Sequence, residues 1–76
     1  MSKLNAENVK IVDSTNTSES GNFWGICMAD VVVDVIFNTT DGPKTKTDLA
    51  LTQGVPLYNV KTVTYVSGDG FVQLFE

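Results

Sequence analysis

Histidine is absent from this sequence and cysteine occurs once. The first absence removes the commonest metal ligand and the side chain that titrates most readily near neutral pH. The second excludes an internal disulfide and any cysteine-rich zinc cage. Cys27 lies among apolar residues and reads as a small buried hydrophobe, with a reactive thiol as the lesser alternative. Positive charge is scarce too: Lys3, Lys10, Lys44, Lys46 and Lys61 are scattered, and the net charge is -4. Binding to a phosphate backbone or an anionic bilayer rests on clustered basic residues, so neither nucleic acid nor a membrane is an expected partner. No apolar run approaches the ~20 residues of a membrane span. Met1-Ser2-Lys3-Leu4-Asn5-Ala6-Glu7 lacks the apolar core of a signal peptide, so a soluble compartment is expected.

What remains is a chain of 76 residues, enough for one domain. A domain of that size hides only about 60% of the surface its unfolded chain exposes, so its core is marginal. Disulfides, a structural metal or association usually support such folds. With the first two disfavoured by composition, association is the expected support.

Apolar patterning begins at Val9, Ile11 and Val12, which read as a short strand at the end of a polar arm spanning residues 1–10. Residues 13–22 hold no apolar side chain and read as a surface loop. The core, residues 23–76, opens with Phe23-Trp24-Gly25-Ile26-Cys27-Met28-Ala29. The β-branched Val31, Val32, Val33, Val35 and Ile36 follow and favour strand. Val31, Val33, Val35 and Phe37 share one face at period two, and Val32, Asp34 and Ile36 the other. Residues 38–43 read as a turn, and Thr45 to Thr52 as a polar edge strand whose lysines discourage stray pairing. Leu57 to Val66 reads as a strand with Tyr58 and Val60 on one face and a bulge near Thr62. Ser67-Gly68-Asp69-Gly70 reads as a hairpin turn into the closing strand Phe71 to Phe75. Five to seven short strands without a capped helix predict an all-β domain, a small antiparallel β-sandwich or barrel with a polar N-terminal arm.

Chemistry rests only on the carboxylates. Asp30 and Asp34 flank the valine run, but general acid–base work needs a cleft and a positioned substrate, for which so short a chain has little room. No catalytic residue, metal ligand or cofactor is expected; the two aspartates read as a solvated or interfacial face. Trp24 reads first as core and second as an interface anchor. The candidate protein-interface residues are Leu4, Val9 and Ile11 on the arm, with Trp24, Asp30 and Asp34.

Three phrases carry a resemblance. Phe23-Trp24-Gly25-Ile26-Cys27-Met28-Ala29-Asp30 runs into Val33-Asp34-Val35-Ile36-Phe37-Asn38; Gly54-Val55-Pro56-Leu57-Tyr58-Asn59-Val60 follows. Val63-Thr64-Tyr65-Val66-Ser67-Gly68 then leads into Phe71-Val72-Gln73-Leu74-Phe75. Together they resemble small β-rich virion proteins of tailed bacteriophages, of the head decoration (cement) or spike-base and fibre-base kind. Asn59 stands where such sequences usually have glycine, although Asn tolerates the left-handed conformation. The resemblance implies a non-enzymatic protein of the virion, commonly a homotrimer, whose partner is the major capsid protein or another virion protein. The alternative from another class is a small acidic binding module, such as a phage-encoded inhibitor of a host protein.

Overall fold

The computed structural model describes residues 9–76. Among them are six strands and no helix: β1 (Val9–Val12), β2 (Ser18–Ala29), β3 (Val31–Thr39), β4 (Gly42–Leu51), β5 (Pro56–Ser67) and β6 (Phe71–Phe75). All pair antiparallel in one sheet of order β1-β6-β2-β5-β3-β4. The all-β expectation holds.

Connectivity departs from the hairpin expected at Ser67-Gly68-Asp69-Gly70, because β5 and β6 do not pair; β2 lies between them. Only β3 and β4 form a hairpin, about Thr40 and Asp41, a tighter turn than the 38–43 expected. Asn38 pairs with Pro43, whose missing N–H is harmless because β4 ends the sheet.

β2 and β3 both run antiparallel to the β5 between them, and therefore parallel to each other. Parallel strands of one sheet are ordinarily joined by a crossover of about a dozen residues or more. Here Asp30 alone joins them. Residues 18–39 are thus one extended stretch, bent at Asp30, that grips both edges of β5. β5 and β6 repeat the arrangement around β2, joined through residues 68–70. Such wrapping requires the sheet to curl on itself. Accordingly its inner face is its own core: Val12, Cys27, Val33, Val35, Val60, Val63, Val72 and Leu74 are fully buried.

The two bends cross at Gly70. A Cβ there would fall inside the carbonyl oxygens of Ala29 and Asp30, so only glycine lets the chains meet. Glycine is needed for contact and not for a left-handed angle, since Gly68 alone in this link has positive φ, at 104°. The Tyr65 hydroxyl donates to the Gly68 carbonyl at 2.6 Å and pins the same link.

Bulges set which side chains face inward. Asn59 takes φ 56°, shifting the phase of β5 so that Tyr58 points out while Leu57 and Val60 point in. The expected pairing of Tyr58 with Val60 on one face is therefore incorrect. A second slip at Lys61, where Ile36 pairs with Thr62 but Phe37 with Val60, is the expected bulge near Thr62. On β4, Thr47 and Asp48 oppose Asp34 alone, with Asp48 at φ 50°.

The loop expected over residues 13–22 ends at residue 17. Asp13 Oδ1 accepts from the backbone N–H groups of Thr15 and Asn16, a local turn typical of Asp. Ser18 and Ser20 already belong to β2, where their hydroxyls meet those of Thr64 and Thr62 at 3.3 and 3.1 Å. Cross-strand hydroxyl pairs support this first part of β2, which lacks apolar side chains.

Candidate functional site

Side chains of β1, β6 and β2 alternate between two environments, and both hold apolar residues. Val12, Val72, Leu74, Phe23 and Cys27 point into the core. The residues between them point outward, and strand pairing aligns them in rows: Val9 beside Phe75 beside Trp24, and Ile11 beside Gln73 beside Ile26. Met28 and Phe71 continue the surface. Exposure is substantial: Val9 49%, Ile11 41%, Trp24 48% and Met28 39%. Isolated exposed hydrophobes are ordinary, whereas these side chains are neighbours across three strands.

Trp24 is thus a surface residue and not part of the core. Its ring stacks on that of Phe75 with centroids 4.3 Å apart and planes at 22°. The backbone permits the stack because β2 approaches β6 closely at Gly25, where a Cβ would lie 2.6 Å from the Gln73 carbonyl oxygen. Of the sequence-predicted interface residues, Val9, Ile11 and Trp24 come together on this face. Leu4 lies outside the described residues.

Asp30 and Asp34 lie elsewhere and hold backbone. Asp30 Oδ1 accepts from the Gln53 N–H at 2.9 Å, tying the bend after β2 to the link after β4. Asp34 Oδ1 accepts from the Asp48 N–H at 2.8 Å and so fastens the β4 bulge. The two carboxylates neither converge nor face Trp24's surface. Among the described residues, no three His, Cys, Asp or Glu side chains are grouped to hold a metal.

Burial pushes the Cys27 thiol above its ordinary range, and its Sγ donates to the Ala29 carbonyl at 3.1 Å. That favours the small-hydrophobe reading over the reactive-thiol one, because the thiolate is the nucleophile.

Behind the Trp24–Phe75 stack lies an open concavity of about 310 Å³. Phe23 and Val60 contribute to its floor, and Tyr58, 62% exposed, joins the two stacked rings in its lining. Its polar groups are the amides of Asn22, Asn38 and Asn59, the phenol of Tyr58 and the carboxylate of Glu76. No lysine lines it. Sequence reading missed Tyr58, Asn59, Phe75 and Met28 as surface groups. The available signal was β6 itself, where Phe71 and Phe75 alternate with Val72 and Leu74 and leave neither face polar.

No family model, curated protein or solved structure matches the chain.

Proposed function

We propose that the chain is a non-enzymatic structural accessory of a virus particle, a capsid decoration protein, that associates through the outer face of β1, β6 and β2. The observation that carries the docking part is the apolar surface of Val9, Ile11, Trp24, Ile26, Met28, Phe71 and Phe75. Covering it removes apolar area from water at roughly 25 cal/mol per Å² and supports a core that is small by itself. The particle part rests on the resemblance of the strand phrases to phage virion proteins, which also makes a homotrimer the expected assembly and the major capsid protein the expected partner. Modest individual contacts suffice on a lattice, because linked copies make later contacts effectively intramolecular.

The guarded edge of the sheet agrees with a directed contact. β4 presents Lys44, Lys46, Pro43 and a bulge, devices that discourage strand addition, whereas β1 is four residues long and sets Lys10 between the exposed Val9 and Ile11. The test is fractionation of purified particles followed by quantitative mass spectrometry. Presence at a fixed ratio to the major shell protein is expected. A chain that is absent from particles, stays monomeric and binds a soluble host protein would support the inhibitor reading instead.

A further inference from the structure

The concavity behind the aromatic stack has a chemistry that the docking face does not explain. Its aromatic groups present ring faces and edges, and its polar groups are three carboxamides, one phenol and one carboxylate. Asn38 Nδ2 reaches Asn22 Oδ1 only at 3.5 Å, too long to satisfy either amide. Tyr58 is 62% exposed, an aromatic left in water beside two others.

Charge limits the occupant. With no lysine among the described residues of the lining and a carboxylate beside it, those residues offer nothing to neutralise a phosphate, a sulfate or a uronic acid. Hydrogen-bond balance narrows it further. Each carboxamide both donates and accepts, while the carboxylate only accepts, so the site holds many acceptor lone pairs. A proline-rich segment would suit the aromatic walls but brings few N–H donors, and would leave those acceptors unmatched. Sugar hydroxyls donate and accept alike, and the apolar C–H face of a pyranose packs flat on an aromatic ring.

We propose that this concavity binds a neutral glycan, with Tyr58 and the Trp24–Phe75 pair packing on sugar rings and Asn22, Asn38 and Asn59 holding hydroxyls. Its volume, about 310 Å³, stands at the low end of the ~300–1,000 Å³ of small-molecule sites, which fits the end of an oligosaccharide. The proposal goes beyond particle attachment and is made for the free chain, since Trp24 and Phe75 belong to both surfaces.

Trp24 is the single tryptophan, so its fluorescence reports on the site directly. The full chain is titrated with maltohexaose, cellohexaose, chitohexaose and mannohexaose, with a polyuronate oligomer and a proline-rich peptide as comparators. A saturable change is expected with at least one neutral oligosaccharide. Tyr58→Ala should weaken it by about tenfold, the scale of one lost aromatic contact. Asn59→Gly keeps the left-handed backbone while deleting the amide; it should weaken binding by about fivefold with folding intact. Ile11→Asp, on the docking face, should leave glycan affinity unchanged, which separates this site from particle attachment. The proposal is overturned if no neutral oligosaccharide gives a saturable change, if only the polyuronate or the peptide does, or if Tyr58→Ala binds like the parent.

Discussion

Replacing Gly70 with alanine adds one methyl group where the bend between β2 and β3 crosses the link between β5 and β6. The obstacles are the carbonyl oxygens of Ala29 and Asp30, which are backbone and cannot rotate aside. Relief requires the two bends to part, with loss of the strand pairs on either side. A domain of 76 residues has roughly 4–11 kcal/mol of stability in all, at ~0.05–0.15 kcal/mol per residue. Forced separation of packed backbone belongs with the exceptional substitutions costing about 4 kcal/mol or more, so Gly70→Ala should forfeit from about a third to all of that stability. Gly42→Ala is the matched control. That glycine has φ 99° with nothing within 4 Å of the added Cβ, so only the left-handed backbone penalty of about 1–2 kcal/mol applies. At about 4–8 °C per kcal/mol for a domain of this size, Gly42→Ala should still melt cooperatively, at a lower temperature. Circular dichroism melts and urea titrations of both variants decide the matter. Costs within about 1 kcal/mol of each other would refute the crossing of the two bends.

Asp34→Ala removes the acceptor for the Asp48 N–H and should cost about 1 kcal/mol in a urea titration, whereas Asp48→Gly relieves its φ of 50° and should be neutral or stabilising. If Asp34→Ala is silent, the carboxylate does not hold the bulge. Cys27 should react with a thiol reagent far more slowly in the native chain than in denaturant; equal rates would contradict its burial. Because burial raises this thiol's pKa, the folded state keeps its proton more tightly than the unfolded one. Its contribution to stability is therefore complete below about pH 8.5 and declines as pH rises past that value, so the loss between pH 8 and pH 10 should shrink in Cys27→Ala.

Strand content was legible because it follows from local stereochemistry. The β-branched run from Val31 to Ile36 and the alternation of Val72 and Leu74 state which residues face the core, and the structure agrees. Connectivity was not legible. Ser-Gly-Asp-Gly favours a tight turn by composition, yet here the glycines serve a bend that lets one strand pass another, a long-range packing demand with no local signature. The same holds for Asn59, whose left-handed angle reverses the facing of Tyr58 and could be anticipated only as a tolerance of Asn. Trp24 illustrates a third case. Apolar neighbours in sequence suggested burial, but the strand's inward positions were already taken by Phe23, Gly25 and Cys27, so the largest side chain was left outside. Asp30 and Asp34 stood out in the sequence only as carboxylates flanking the valine run. Their role is to accept backbone N–H groups of the β4 side, a contact across 23 and 14 residues that spacing cannot express.

In the proposed function the outer face of β1, β6 and β2 attaches the chain to a particle. The most direct measurement strips the protein from mature capsids, then quantifies rebinding by sedimentation for the parent chain, Ile11→Asp and Met28→Asp, with Lys46→Ala on the opposite edge as control. Both aspartates place a charge on an exposed apolar position, so folding should be preserved by circular dichroism. Saturable rebinding is expected of the parent and Lys46→Ala, with a loss of about tenfold or more for each aspartate variant, the effect of about 1.4 kcal/mol at a contact. Rebinding of the folded aspartate variants at parental affinity, or no rebinding by the parent chain, would contradict it.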